Sequence, residues 1–167
     1  DGKPLLYNKG LGFTYAAHGV AGYERSIGKV AQFKTEVYYQ YLWNVPVEMK
    51  KSSFSLVNTG TGFSRFFPDS LQNTGTAFNY GMEFTLERFF VKGYYFLTTV
   101  SLFESKYKGS DGVLRNTDFN GQYAWNVLFS KEFKLGNAKF IDFGSKVTQL
   151  GGRWYGPADT LLSNQQK

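Results

Sequence analysis

The richest group of side chains able to do chemistry lies between Pro46 and Asn79. Phe54, Phe63, Phe66 and Phe67 offer aromatic surfaces there, Arg65 a cation, and Asn58, Asn73 and Asn79 amide groups. Rings that stack on a ligand, beside a guanidinium and amides that bond hydroxyls, suit capture of a polar or glycan-like molecule. The same rings would also pack the segment onto itself as a lid over the structure beneath. Phe54, Phe63, Arg65, Phe66, Phe67 and Asn73 form the candidate binding set.

Catalysis has little to work with. Nucleophilic chemistry needs a base beside a hydroxyl or thiol, and His18 is the single histidine. Glu36, Glu83 and Glu87 suggest an acid pair, but Lys34 and Ser101 nearby make a solvated wall the simpler reading. Asp111-Gly112 and Asp118-Phe119-Asn120-Gly121 carry oxygen ligands without the alternating acids and closing glutamate of a calcium loop, and read as turns. Cysteine is absent, which removes disulfides and thiolate metal sites. No enzyme activity, metal or cofactor is expected.

The formal charge of +6 comes from lysines and arginines scattered along the chain. Nucleic-acid binding would gather them on one run or face, so no nucleic-acid partner is expected. No apolar run approaches the roughly 18 residues of a membrane helix, although strands cross membranes with a much weaker signal. Aromatics at 19% and 19 glycines favour strands joined by tight turns.

The elements that must position these groups follow from a two-residue period. In AQFKTEVYYQYLW, residues 31–43, Phe33, Val37, Tyr39, Tyr41 and Trp43 alternate with Gln32, Lys34, Glu36, Tyr38 and Gln40. Such alternation predicts a strand with two unlike faces. The same reading predicts about six long strands: Tyr15–Arg25, Val30–Val45, Tyr80–Phe90, Tyr94–Tyr107, Gln122–Phe133 and Lys139–Leu150. No convincing amphipathic helix is expected. Short glycine-bearing turns alternate with two long connections, residues 46–79 and 108–121. The fold class is all-β, an antiparallel up-and-down meander with short turns at one end and long loops at the other.

Turn geometry sets the expected registers. A three-residue turn at Val91-Lys92-Gly93 places Met82 beside Leu102, Phe84 beside Val100, Leu86 beside Thr98 and Phe90 beside Tyr94. It places Glu83 beside Ser101 and Thr85 beside Thr99 on the other face. A turn at Ile27-Gly28-Lys29 pairs Tyr23 with Phe33, Ala21 with Thr35, Gly19 with Val37 and Ala17 with Tyr39. One at Leu135-Gly136-Asn137 pairs Phe129 with Phe143 and Trp125 with Val147. Each hairpin gives one apolar and one polar face.

The medium against the apolar face is the open question. About thirteen residues at roughly 3.3 Å each, tilted near 45°, rise about 30 Å, the thickness of a hydrocarbon core. Tyr39, Tyr41 and Trp43 toward the long loops, and Phe89, Phe90, Tyr94 and Tyr95 at a short turn, suit two interfacial girdles. A soluble two-layer β-domain that binds carbohydrate would also bury one aromatic-rich face of each sheet.

Three stretches carry a resemblance: YYQYLWNVPVE, SSFSLVNTGTGFSRFFPDSLQNTGTAFNYGMEFTLERFF, and GYYFLTTVSLFESKYKGSDGVLRNTDFNGQYAWNVLFSKEFKLG. In succession, over roughly residues 8–157, they resemble the barrel of TonB-dependent receptors of Gram-negative outer membranes. The resemblance implies a transmembrane β-barrel of about 22 strands, filled by an N-terminal plug domain, with a short box that engages the energy-transducing protein of the inner membrane. It implies TonB-dependent uptake of a nutrient ligand, a location in the cell outer membrane, and outer-membrane lipid as a partner. Plug and box are not recognisable here, DGKPLLYNKGLGFT does not read as a signal peptide, and LLSNQQK is not a strand closing on an aromatic residue. Residues 1–167 are therefore expected to be a partial barrel domain, with open edges prone to edge-to-edge self-association.

Overall fold

The computed structural model describes residues 8–59 and 70–152. Its strands are β1 (Tyr15–Ile27), β2 (Ala31–Glu48), β3 (Leu71–Val91), β4 (Tyr94–Lys108), β5 (Leu114–Asn116), β6 (Tyr123–Lys134) and β7 (Phe140–Leu150). All belong to one antiparallel sheet in the order β1-β2-β3-β4-β6-β7, with the short β5 paired to β4. The chain is thus an all-β up-and-down meander in one open sheet. Among the described residues β1 and β7 each have a single neighbour.

Alternation divides the sheet into two unlike faces. Cross-strand rows such as Ala21–Val37–Met82–Leu102–Tyr123 and Arg25–Phe33–Leu86–Thr98–Val127–Val147 lie on the apolar face. Rings stack along it, Phe33 on Phe84 with centroids 6.5 Å apart and Phe78 on Tyr80 at 6.2 Å. Toward the long loops Trp43 lies between Tyr15 and Tyr41, at 5.6 and 5.9 Å. The polar face is bonded from strand to strand. Asn79 Nδ2 donates to Gln40 Oε1 (2.7 Å), Ser101 Oγ to Glu83 Oε1 (3.4 Å), Tyr95 OH to Glu87 Oε1 (3.1 Å) and Thr148 Oγ1 to Asn126 Oδ1 (2.8 Å).

No described element covers the apolar face. Val37 is 46% exposed, Leu102 45% and Val147 57%, values that a second protein layer would bring close to zero. Among the described residues the buried apolar ones are Val45, Val47, Ala77 and Tyr107, all at the long-loop end.

Two hairpin turns sit one residue later than turn chemistry predicts. The β1–β2 turn is Gly28-Lys29-Val30, which pairs Tyr23 with Thr35, Ala21 with Val37, Gly19 with Tyr39 and Ala17 with Tyr41. Left-handed Gly28 (φ +61°) opens the loop rather than occupying its centre. In the same way β6–β7 turns through Gly136-Asn137-Ala138, pairing Phe129 with Ser145 and Trp125 with Gln149. A turn displaced by one residue moves the register by two, so every side chain keeps its face.

At β3–β4 the expected partners Met82–Leu102, Phe84–Val100, Leu86–Thr98, Glu83–Ser101 and Thr85–Thr99 all form. Phe90 does not pair with Tyr94. A bulge between Arg88 and Val91 takes up one residue, Val91 meets Tyr94, and the turn contracts to Lys92-Gly93. Both turn residues have positive φ (+56° and +76°), as a type I′ turn requires. Two further expectations are corrected. Strand β3 begins at Leu71, well before Tyr80, because LQNTGTAFN pairs with the extension of β2 despite its loop-like composition. Strand β5 lies inside the expected 108–121 loop.

Lys92 carries a Cβ in a conformation that favours asparagine or glycine. Replacing it, Lys92→Asn, is expected to stabilise the fold by about 0.5–1 kcal/mol. The check is a raised urea midpoint with an unchanged slope.

Candidate functional site

At the long-loop end the alternation of β2 is interrupted. Its odd residues lie on the apolar face through Trp43; then Asn44 adopts φ +55° and the ladder shifts between Leu42 and Val45. The inserted residue turns Val45 and Val47 to the face that carries Gly75 and Ala77. A Cβ on Gly75 would lie 2.5 Å from Val47 Cγ1 and 2.8 Å from the Val45 carbonyl oxygen. Ala77 pairs in turn with Tyr107. Val45 and Val47 are 1% and 0% exposed, and burying each contributes about 1.5–3 kcal/mol.

The first long connection folds over this core. Ser55 bridges to Val47, and residues Leu56–Asn58 form a single 3-10 turn. The second connection then clasps the first. Ser110 Oγ donates to the Lys50 carbonyl (2.8 Å) and accepts from the Ser52 N–H (3.0 Å). Asn58 and Asp118 exchange two bonds: the Asp118 N–H donates to Asn58 Oδ1 (2.8 Å), and Asn58 Nδ2 to Asp118 Oδ1 (3.3 Å). Gly109 runs so close to Ser52 and Ser53 that a Cβ would lie 2.5 Å from the Ser52 carbonyl oxygen.

Polar groups hold the second connection on β4. Thr117 Oγ1 donates to Ser105 Oγ (2.8 Å), and its N–H to the Ser105 carbonyl (3.0 Å). Asn120 is fully buried and its Nδ2 donates to Glu104 Oε2 and Asn116 Oδ1, both at 2.9 Å. Asn120 Oδ1 and Ser55 Oγ are buried without a hydrogen-bond partner among the described residues.

Of the candidate binding residues, Phe54 and Asn73 fall among the described ones; Phe63, Arg65, Phe66 and Phe67 lie outside them. Phe54 is half-buried in the first connection, its N–H donating to Ser52 Oγ at 3.2 Å. Asn73 stands on β3 and works as a fastener. Its Oδ1 accepts from the Gly12 N–H (2.8 Å), and its Nδ2 donates to the carbonyls of Asn44 (2.7 Å) and Gly12 (3.2 Å). That ties the segment before β1 to the β2 bulge.

The other chemistry-bearing residues are dispersed. Asn79 bonds Gln40. His18 meets Tyr38 edge-on at 6.4 Å on the polar face. Glu36 and Glu83 pair across β2 and β3, Glu36 bound to Lys34 at 2.9 Å and Glu83 accepting from Ser101. With His18, Tyr38 and Gln40 they line a shallow groove of about 300 Å³. No group of three or more His, Cys, Asp or Glu able to hold a metal ion occurs among the described residues. Sequence reasoning missed Ser52, Ser110 and Thr117, and read Asn120 as a turn residue only. Nothing in their spacing is periodic; a bulge-flipped Val45/Val47 pair seeking cover was the available hint.

No protein-family model, no curated protein and no solved structure matches this chain.

Asp111 accepts two bonds from Arg115, one of them from Nη1 at 2.9 Å, and one from the Val113 N–H at 3.0 Å. The bonds from Arg115, then the one from Val113, hold its carboxyl below the ordinary value of 3.8. A depressed carboxyl contributes order that is complete above its unfolded-state value and is lost as pH falls through the lower folded value. The Val113 amide resonance should therefore titrate with a midpoint below 3.8, and Asp111→Asn should abolish that titration.

Proposed function

We propose that this chain forms part of the wall of an outer-membrane transport barrel of the TonB-dependent receptor type. In complete form such a receptor captures a nutrient ligand outside the cell and admits it when the inner-membrane energy-transducing protein rearranges the plug. The observation that carries the proposal is the uncovered apolar face of a single sheet whose other face is a hydrogen-bonded polar ladder. A compact water-soluble carbohydrate-binding domain would place a second layer over Val37, Met82 and Leu102, and no described element does so.

Dimensions support the same reading. From Phe33 to Trp43 no outward residue of β2 is charged. That run measures about 33 Å at about 3.3 Å per residue, and tilted about 40° it rises about 25 Å, the height of the apolar band of an outer-membrane barrel. The Tyr15–Trp43–Tyr41 stack lies at its upper margin, and Phe96, Tyr94 and Phe133 lie toward the lower one. Polar residues such as Gln40, Glu83 and Thr99 then face a lumen or a plug. The clasped long loops stand on the outer side, where they contribute to ligand capture and carry out no bond chemistry.

The absence of native cysteine permits a direct test in the chain itself. Single cysteines at Val37, Met82, Val100 or Val127, labelled with a fluorophore in phospholipid vesicles, should be quenched by brominated acyl chains and shielded from aqueous iodide. Labels at Gln40, Glu83 or Thr99 should behave in the opposite way. Equal quenching of both sets by iodide would refute the wall. In the bilayer-inserted protein, Val37→Arg should cost about 2–4 kcal/mol, as charges do at the lipid midplane.

A further inference from the structure

Among the described strand residues, Arg25, Arg88 and Lys131 are the cations on the apolar face at its short-turn margin. Arg25 pairs with Phe33, Arg88 with Ala31 and Phe96, and Lys131 with Tyr94. The nearby acids Glu24, Glu87, Glu132 and Asp142 alternate onto the polar face, where Glu24 pairs with Lys34, Glu87 with Gln32, and Glu132 with Asp142. Ion pairs among the described residues join Lys34 to Glu36, Lys106 to Glu104 and Arg115 to Asp111, and none includes the three marginal cations.

Two of these cations share one ring. The Arg88 guanidinium carbon lies 3.5 Å from the Tyr94 centroid and Lys131 Nζ lies 5.2 Å from it. The two charges are therefore at most about 9 Å apart, close to one Debye length in physiological salt. Arg88 is held in place, with Nη1 donating to the carbonyls of Val91 (3.2 Å) and Tyr94 (3.1 Å). Its Nε and Nη2 make no hydrogen bond among the described residues. That leaves a forked donor edge of the kind that binds a phosphate through two parallel bonds. Lys131 Nζ also stands 5.9 Å from the Phe133 ring, so its ammonium lies between two aromatic rings and makes no ion pair among the described residues.

We propose that Arg88 and Lys131, on either flank of the Tyr94 hairpin, bind the phosphate of an anionic phospholipid headgroup at the short-turn border of the membrane. The inference rests on the wall reading above. Two neighbouring like charges repel unless an anion lies between them, and the anion that a lipid-facing surface meets at this height is a headgroup phosphate. Arg25, one strand pair away on the same margin, extends the positive border.

The test uses the intact protein in nanodiscs of neutral phosphatidylcholine containing trace spin-labelled phosphatidylglycerol or phosphatidylcholine. The wild type should restrict phosphatidylglycerol about fivefold more than phosphatidylcholine, the ratio expected for roughly one effective cation at the surface. Lys131→Gln, which disturbs no backbone bond, should bring that preference to near unity; Lys131→Arg should restore it, and Lys106→Gln at the opposite margin should leave it unchanged. A wild-type preference of unity, or full preference in Lys131→Gln, overturns the proposal. Loss of the preference in inorganic phosphate but not in chloride of equal ionic strength would mark a free-anion site and overturn the lipid assignment. Failure of the wild type to enter neutral nanodiscs would overturn the wall reading, and this inference with it.

Discussion

The strand period of two is the constraint on which the rest of this structure depends. Each long strand offers alternate side chains to two different surroundings, so the pairing of neighbours can slide by two residues but not by one. The observed hairpins obey this rule. Both displaced turns move their registers by two, so Val37 meets Ala21 rather than Gly19 and keeps its face beside Met82. The β3–β4 bulge adds a single residue only beyond Arg88, where the apolar rows have ended. Strands β2 and β3 run unbroken in register from Ala31–Arg88 to Leu42–Ala77, and their irregularities are confined to the segment above. A one-residue slip anywhere inside that stretch would put Lys34 and Glu36 on the apolar side, whatever medium lies there.

The bulge at Asn44 shows what the chain gains where the constraint lapses. Beyond Trp43 the alternation breaks, and turning Val45 and Val47 to the other face creates the one well-buried apolar cluster among the described residues. Every device around it serves that cluster. Gly75 provides room for Val47, Asn73 straps the segment before β1 across the bulge, and Ser55 bridges to Val47 from the first long connection. The two long connections are then joined through Ser110 and the Asn58–Asp118 exchange. They form a common base over the cluster.

The legible part of the fold was the part governed by periodicity. Alternation in AQFKTEVYYQYLW and its counterparts located the six long strands and both faces, and the β3–β4 register followed through the middle of the sheet. Turn composition was a weaker guide, because a glycine marks a hairpin without saying which loop position it fills: Gly28 opens its loop and Gly93 closes its own. The start of β3 was hidden because LQNTGTAFN has the asparagines, threonines and glycines of a loop. Its strand conformation is imposed by pairing with Val45–Glu48, a long-range interaction with no local signature. The site suffered most, since Ser110, Thr117 and Asn120 matter through hydrogen bonds that no sequence period marks, to Lys50 and Ser52, to Ser105, and to Glu104 and Asn116. Asn73, expected to be available to a ligand, is committed at both ends of its amide to Gly12 and Asn44.

The two ends of the sheet thus solve different physical problems with the same residue types. At the long-loop end aromatic rings stack on one another, and charges are paired, Glu104 with Lys106 at 3.2 Å and Asp111 with Arg115. At the short-turn end cations lie against rings instead, and the described acids of that margin, Glu24, Glu87, Glu132 and Asp142, stand on the opposite face. A water-exposed hairpin gains little from an arginine that spends one nitrogen on its own turn carbonyls and turns its others outward, because an exposed ion is already well solvated. At the border of a low-dielectric slab the same arrangement is favourable, since the attraction between a cation and a ring strengthens as the pair loses water. The difference between the margins therefore gives the sheet a direction: clasped loops and self-paired charges on one side, unpaired cations held against rings on the other.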